Sequence, residues 1–171
     1  MTIREPQIPE PSPSELQIVD FEERWHDDGI ALWGSSRMAS SGRLHDVTEQ
    51  PGVVALLDGR FAGVVTWVPR PAGEPWEVLT VHSAVERVGA ATALLAEVSR
   101  RATAEGVPYL WLITTNDNTQ ALRFYQRRGW RLIEVRAGAV DRARRDLKPE
   151  IPVLGNDDIP IRDELVLRYE L

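Results

Sequence analysis

Residues 114–130 read TTNDNTQALRFYQRRGW, from Thr114 to Trp130. The segment leaves an apolar run, crosses a turn rich in Asn and Asp, and continues with apolar residues at helical spacing. Asn and Asp favour turns and helix starts because their side chains bond nearby backbone groups. Gly129 closes the pattern, as expected just after a helix end. The segment therefore predicts a strand, a turn and an amphipathic helix over about 119–128.

The strand before this turn belongs to a larger unit. Residues 109–113 are continuously apolar, which is typical of a strand covered on both faces. Upstream, residues 88–105 carry apolar side chains at helical spacing and are followed by glycine and proline, the usual helix stop. Residues 76–82 precede that helix and alternate as a strand. Strand, helix and strand form a βαβ crossover, so the two strands are predicted to lie parallel.

Further elements extend the sheet with antiparallel strands. Asp58-Gly59 is the strongest hairpin signal, because this pair suits a type I′ turn between two apolar runs. The other predicted elements are a strand at 16–19, a helix at 25–38, hairpin strands at 52–57 and 60–68, a strand at 131–135, a basic helix at 141–148 and a last edge strand at 165–169. The fold class is α/β (α+β): a mixed, mostly antiparallel sheet with a central parallel strand pair and helices on both faces.

The composition indicates one domain. The 171 residues show no compositional break that would mark a second core, and proline recurs in the first 13 residues, which forbids regular structure there. We predict a flexible, proline-rich tail at 1–15 and a single domain at 16–171. The net charge of −6 argues against a nucleic-acid partner, since duplex binding needs a basic face.

The chain has no cysteine, which excludes disulfides, thiolate metal sites and cysteine nucleophiles, and we assign no metal. Thiol chemistry would have to arrive on a ligand. The amino-terminal residues lack the layout of a secretory signal, and no apolar run approaches the ~20 residues of a membrane span. We expect a cytoplasmic protein with no membrane partner.

Two segments carry the candidate chemistry. The first turn of a helix has unpaired backbone N–H groups, so the small residues Gly89, Ala90 and Ala91 would let an anionic phosphate approach closely. In the second segment, Asn116 and Asn118 follow the strand end, where their amides could bond an extended ligand, with Tyr125 on the next helix. Each segment also has a plain alternative: close helix packing for the small residues, and turn, cap and core roles for the others.

Together, the two segments resemble the GNAT superfamily of acyl-CoA-dependent N-acyltransferases over about residues 77–135. The family's pyrophosphate signature is Gln or Arg, two residues, Gly, one residue, then Gly or Ala; Gly89 and Ala91 match its last two positions, whereas Glu86 departs from the first. Arg87 next to it could supply positive charge. The family's second signature is matched by Asn118, Ala121, Phe124, Tyr125, Gly129 and Trp130.

The resemblance implies roles for individual residues and a parallel pair splayed to bind acyl-CoA. Asn118 would contact the pantetheine arm, and Tyr125 would protonate the departing thiolate as a general acid. The implied acetyl-CoA contacts in the backbone are Leu79, Thr80 and Val81 for the pantetheine arm, and Arg87, Val88, Gly89, Ala90, Ala91 and Thr92 around the pyrophosphate. The implied reaction is direct attack of an amine on acetyl-CoA in a ternary complex.

A general base is needed because an amine with a pKa of ~10.4 is protonated at neutral pH. Glu77 is the candidate, since it is the acid on an otherwise apolar face of the predicted strand, together with Leu79 and Val81. The alternative is a surface carboxylate at a strand start. His82 is a second candidate, and His45 lies in a region without a clear pattern.

The acceptor is the least determined part. An acidic tract, Asp157, Asp158, Asp163 and Glu164, could attract a cationic amine or could be ordinary turn acids. Most of the six tryptophans are expected in the core, and Trp33, Trp67 and Trp76 are the ones to check for an aromatic acceptor pocket. The arginines of the basic helix are interpreted as solvated. The acceptor stays open between an amine-bearing small molecule and a peptide, and a homodimer through the late strands also stays open. A non-catalytic acyl-CoA-binding module or another nucleotide-binding protein is the rival interpretation.

Overall fold

The structure is a computed structural model and describes residues 15–171; the predicted tail falls almost wholly outside these residues. The strands in the described range are β1 (Leu16–Asp20), β2 (Arg37–Ser40), β3 (Arg43–Asp46), β4 (Gly52–Leu57), β5 (Arg60–Val68), β6 (Trp76–Ser83), β7 (Tyr109–Thr115), β8 (Arg131–Arg136) and β9 (Glu164–Glu170). The α-helices are α1 (His26–Trp33), α2 (Ala90–Ala104), α3 (Thr119–Gln126) and α4 (Ala139–Asp146).

The main sheet has seven strands in the order β1-β4-β5-β6-β7-β9-β8, and β2 and β3 form a separate hairpin. Among the strands of residues 15–171, only β6 and β7 are parallel, so the predicted fold class is confirmed. Their pairing covers Trp76 with Leu110 through Val78 with Leu112 and then stops. Beyond Val78 the two strands separate, which leaves the backbone groups on the facing edges without a strand partner.

Helices cover both faces of this sheet. On one face, α2 and α3 pack on the larger core, which contains Val78, Leu94, Leu112 and Tyr125. On the other face, α1 packs on a smaller apolar cluster around Val64. These two layers bury the alternating faces of β4 and β5, because successive side chains of a strand point to opposite sides.

The predicted hairpin between β4 and β5 is confirmed. Asp58 and Gly59 have φ values of 50° and 78°, as a type I′ turn requires at both central positions.

The next pair of strands, β5 and β6, contains an irregularity that the sequence pattern did not reveal. Thr66 pairs with Thr80 and Trp67 pairs with Val78, so Leu79 is an extra residue in β6. This β-bulge bends the strand next to the point where β6 leaves β7.

The structure corrects the bounds of two predicted helices and the position of one predicted strand. The helix predicted at 25–38 ends at Trp33, because Gly34 adopts a left-handed conformation with φ of 75°, and the residues that follow form β2. The helix predicted from residue 88 begins at Ala90, since Arg87 and Gly89 both have positive φ. The strand predicted at the sheet edge, β9, lies between β7 and β8 instead, and β8 forms the edge.

Candidate active site

A cavity of about 210 Å³ lies where β6 and β7 separate, on the sheet face opposite α2. The β2 strand and the segment from α4 to β9 close it from above. Its lining side chains are Met38, Ala39, Ser40, Glu77, Leu79, Ile113, Thr114, Thr115, Val140, Ala143, Lys148, Ile151, Ile161 and Glu164. The cavity therefore joins residues from distant parts of the chain around the predicted base Glu77.

Glu77 is 6% exposed and accepts a hydrogen bond from the Ser40 hydroxyl on its Oε1 atom. It forms no ion pair with any residue of the described range. Burial raises the pKa of Glu77 above its ordinary 4.5, and the nearby Glu164 raises it further, while the Ser40 hydrogen bond opposes the shift. A carboxylate with a raised pKa accepts a proton more readily, which is the property required of a general base.

The acidic tract is divided by the fold. Glu164 is 5% exposed and lines the cavity with Glu77, at 3.6 Å from the Arg136 guanidinium. Asp163 instead accepts a hydrogen bond from the Gly138 amide at 2.7 Å. Asp157 and Asp158 are exposed and do not line the cavity. Only one member of the predicted tract therefore faces the candidate acceptor site.

The bulge at Leu79 corrects the predicted face of β6. Glu77 and Leu79 point into the cavity as predicted, whereas Val81 packs with the α2 core on the opposite side. The extra residue reverses the alternation between Leu79 and Val81. Beyond Val78, β6 has no partner on the side of β7, so its backbone from 79 onward is available to an extended ligand.

The first turn of α2 presents free backbone donors. The N–H groups of Gly89, Ala90, Ala91 and Thr92 donate no hydrogen bond to a described residue, and the first helical bond runs from Ala93 to the Gly89 carbonyl. A Cβ atom built on Gly89 meets nothing within 4 Å, so the space before this turn is open. The arrangement fits an anionic phosphate group.

Arg128 places positive charge beside this turn. Its Nε atom donates to the Thr92 hydroxyl at 3.0 Å, and its guanidinium lies 3.7 Å from the centre of the Phe124 ring. Arg128 was missed by the sequence interpretation, because the contact links the end of α3 to the start of α2 across 36 residues. Arg87, the cation predicted here, is exposed in the loop before α2.

The two asparagines of the turn have different roles. Asn118 caps α3, since its Oδ1 atom accepts a hydrogen bond from the Ala121 amide at 3.1 Å. Its amide nitrogen donates to no described residue and is free for a ligand. Asn116 donates to the Pro160 carbonyl and accepts from the amides of Arg162 and Asp163. The suggestion that Asn116 bonds a ligand was wrong, because its side chain holds the segment before β9.

Two further residues, which sequence reasoning missed, order the same segment. Asp117 is 3% exposed and accepts hydrogen bonds from the amide and the side chain of Asn156. Arg144 donates to the carbonyls of Ile151, Pro152 and Ile161 at 2.8–2.9 Å. Arg144 was interpreted as a solvated helix residue, and this was wrong. Its guanidinium satisfies three carbonyls of a segment that walls the cavity.

Tyr125 is 8% exposed and packs with Phe124 and Trp130 in the core on the α2 side of the sheet. Its hydroxyl forms no hydrogen bond with a described residue, and burial raises its pKa well above 10. Tyr125 does not line the cavity of Glu77. The two predicted catalytic residues thus lie on opposite faces of the sheet, with the gap between β6 and β7 opening between these faces.

The remaining candidates lie away from the cavity. Trp67 and Trp76 stack on each other in the core under α2, with ring centres 6.1 Å apart, and Trp33 packs in the cluster under α1. None of the three lines the cavity, so the suggestion of an aromatic acceptor pocket was wrong. His82 is exposed beyond the bulge, and His45 lies in β3; neither lines the cavity.

Comparisons with known proteins agree on one family. Residues 11–130 match the family model described as "Acetyltransferase (GNAT) family". The curated "Uncharacterized protein YxbD" of Bacillus subtilis is 39% identical over 140 residues, which is 81% of this chain and 86% of that protein. In the described residues, no helix has the length and apolar character needed to cross a membrane.

Solved structures share the fold at low identity. An IAA acetyltransferase from Bacillus cereus superposes with a TM-score of 0.72 at 18% identity, covering 92% of this chain and all of the other. A GNAT family acetyltransferase from Elizabethkingia anophelis, solved with acetyl-CoA bound, superposes with a TM-score of 0.64 at 17% identity, covering 91% of this chain and 98% of the other.

Proposed function

The chain belongs to the GNAT acetyltransferase family and is an acyltransferase, and we propose that it transfers the acetyl group of acetyl-CoA to a primary amine beside Glu77. One observation carries the acceptor half of this proposal. Glu77 is a buried carboxylate without an ion-pair partner among the described residues, in a cavity at the gap between β6 and β7. Such a carboxylate is suited to receive an ammonium group and then its proton.

The donor half rests on the gap and the first turn of α2. The free N–H groups of 89–92 would bind the pyrophosphate of acetyl-CoA, with Arg128 adding positive charge beside Thr92. On the side of β7 the backbone of Leu79, Thr80 and Val81 has no strand partner among the described residues, and it would bond the pantetheine arm along this edge of β6. Asn118 would contribute its free amide nitrogen from the facing turn. Acetyl-CoA then supplies a thioester at the gap.

Glu77 would act on the acceptor. A lysine-like amine is mostly protonated at neutral pH, and releasing its lone pair costs roughly 4–5 kcal/mol. Glu77 would take that proton, directly or through a water molecule, so that the amine nitrogen can attack the thioester carbonyl. The nitrogen adds to the carbonyl carbon, its second surplus proton passes to solvent, and the C–S bond then breaks to release the thiolate. Ser40 would hold the carboxylate in place throughout.

Tyr125 would act on the leaving group from the other face of the sheet. Its raised pKa keeps the phenol protonated at neutral pH, so it is a proton donor and not a base. The sulfur becomes basic as the thioester breaks and would take the phenolic proton, which solvent later replaces. In one ternary complex, Glu77 would thus accept a proton from the amine on one side of the gap, and Tyr125 would donate a proton to the thiolate on the other side.

The test is release of free thiol from acetyl-CoA with a panel of primary amines, with mass spectrometry to identify the acetylated amine. We expect thiol release that depends on the amine and equals the acetylated product formed. Tight acetyl-CoA binding with no release for any amine would contradict the proposal and favour a non-catalytic acyl-CoA-binding module. A protein that neither binds acetyl-CoA nor releases thiol from it would exclude both the acetyltransferase and the acyl-CoA-binding module.

A further inference from the structure

The cavity beside Glu77 is small and mostly apolar. Its volume of about 210 Å³ lies below the ~300–1,000 Å³ of typical ligand pockets. Aliphatic side chains form most of the wall: Met38, Leu79, Ile113, Val140, Ile151 and Ile161. A ligand held there would replace water along an apolar surface, so binding favours a compact molecule with an apolar body.

The charges around the cavity are unevenly paired. Glu164 already has the Arg136 guanidinium at 3.6 Å, whereas Glu77 forms no ion pair with a described residue. Arg70 and Arg136 lower the pKa of Glu77 from beyond ion-pair distance, and a single ammonium group beside Glu77 would supply a direct partner. No second carboxylate among the described lining residues is left without a cation.

Lys148 makes a second positive charge unfavourable. It lines the same cavity, and its Nζ atom donates to the Arg37 carbonyl of β2 at 2.6 Å. Because Lys148 lines the same cavity, the far ammonium of a diamine would approach the Lys148 ammonium, and like charges repel. The lysine thus selects against diamines and polyamines by repulsion.

The β2–β3 hairpin covers the cavity through contacts along its length. Ser40 bonds Glu77, Ser41 accepts a hydrogen bond from Arg136 at 2.7 Å, and Arg37 accepts from Lys148. The hairpin is thereby tied to β6, to β8 and to the segment after α4. These contacts hold the hairpin over the sheet face above Glu77, so an extended peptide could not lie across that face without displacing it.

We infer that the acceptor is a compact aliphatic monoamine, and that Lys148 and the hairpin exclude polyamines and peptides from the site. This inference rests on the proposed function and specifies its substrate class. Glu77 receives the single ammonium group, the aliphatic wall receives the carbon body, and Lys148 determines specificity by rejecting a second cation.

The test compares matched acceptors in the thiol-release assay: 1-aminopentane, 1,5-diaminopentane and a short peptide with one lysine and an acetylated amino terminus. We expect kcat/KM for the monoamine to exceed that for the diamine about tenfold or more. Lys148→Gln removes the charge and keeps a hydrogen-bond donor, so it is expected to lower the ratio of kcat/KM for the monoamine to kcat/KM for the diamine. Lys148→Arg keeps the charge and is expected to keep this ratio.

The outcomes separate this inference from the proposed function. If Lys148 has a purely structural role, Lys148→Gln will change kcat/KM for the monoamine and the diamine by the same factor. An unchanged ratio of these two values would overturn the role of the charge. Acetylation of the diamine or of the peptide as fast as the monoamine would overturn the substrate class and leave acetyl transfer to amines standing. Absence of thiol release with all three acceptors and with the wider amine panel would overturn the proposed function itself.

Discussion

Ser40 donates a hydrogen bond to Glu77 and so joins two separate sheets, since Ser40 ends β2 of the small hairpin and Glu77 lies in β6 of the main sheet. Both side chains are buried, at 4% and 6% exposure. The bond fixes the carboxylate and stabilises its charged form, in opposition to burial. Ser40 thus links the position of the β2–β3 hairpin over the cavity to the protonation of Glu77.

Replacing Ser40 by alanine is expected to change the pH profile. The Ser40 hydrogen bond lowers the pKa of Glu77, so its loss raises that pKa further. A base acts only when ionised, and the acid limb of kcat/KM is therefore expected to move to higher pH. Ser41→Ala, which breaks the adjacent bond to Arg136, is the control for a loosened hairpin. Equal profiles for the two variants would contradict a role of Ser40 in the titration.

Tyr125→Phe removes the proposed acid without changing the ring. We expect kcat to fall by roughly 10²-fold, the lower range for general acid catalysis, with an unchanged Kd for acetyl-CoA. Tyr169→Phe is the matched control, because Tyr169 packs against Trp130 in the same aromatic cluster, at 5.4 Å between ring centres. If both variants keep wild-type kcat, another group protonates the thiolate.

Gly89→Ala tests the phosphate site at α2. The residue has φ of 80°, so a side chain adds strain of about 1–2 kcal/mol and also enters the open space before the helix. Gly106→Ala gives the same strain at the other end of α2, where φ is 71°. We expect similar losses of Tm in both variants but a weaker Kd for acetyl-CoA, measured by calorimetry, only in Gly89→Ala. Unchanged binding in Gly89→Ala would place the phosphate elsewhere.

Arg144→Met tests the segment that walls the cavity. Three carbonyls lose their donor, so we expect the free energy of unfolding to fall by about 2–4 kcal/mol. The neighbouring Arg145→Met removes an exposed ion pair with Asp146 and is expected to leave the free energy of unfolding nearly unchanged. Denaturant titration compares the two. In Arg144→Met, KM for the amine is expected to rise more than KM for acetyl-CoA, and an equal rise would argue against a local effect.

Local patterns in the sequence predicted the framework of the donor site. The Asp58-Gly59 turn, the parallel pair around 76–82 and 109–113, and the helix after Asn118 each depend on neighbouring residues, and the structure contains all of them. The candidate base Glu77 was found in the same way, as an acid within an apolar strand.

The acceptor site depends on contacts that no local pattern reveals. Ser40 reaches the cavity from the β2–β3 hairpin, a region predicted as the end of a helix. Lys148 reaches it from the segment after α4, which was predicted as part of a solvated helix. Asn116 and Asn118 have the same chemistry, yet only the fold assigns Asn116 to the segment before β9. The bulge at Leu79 likewise depends on the register between β5 and β6.

The most direct measurement is thiol release by Glu77→Gln with 1-aminopentane or the best acceptor of the panel, next to acetyl-CoA binding by the same protein. Because the folded-state pKa of Glu77 lies above 4.5, its ionisation costs stability at higher pH, and the neutral glutamine is expected to keep or raise the Tm at pH 7. We predict a loss of kcat/KM by roughly 10²–10⁴-fold with an unchanged Kd for acetyl-CoA. A folded Glu77→Gln protein that acetylates the amine at the wild-type rate would contradict this prediction.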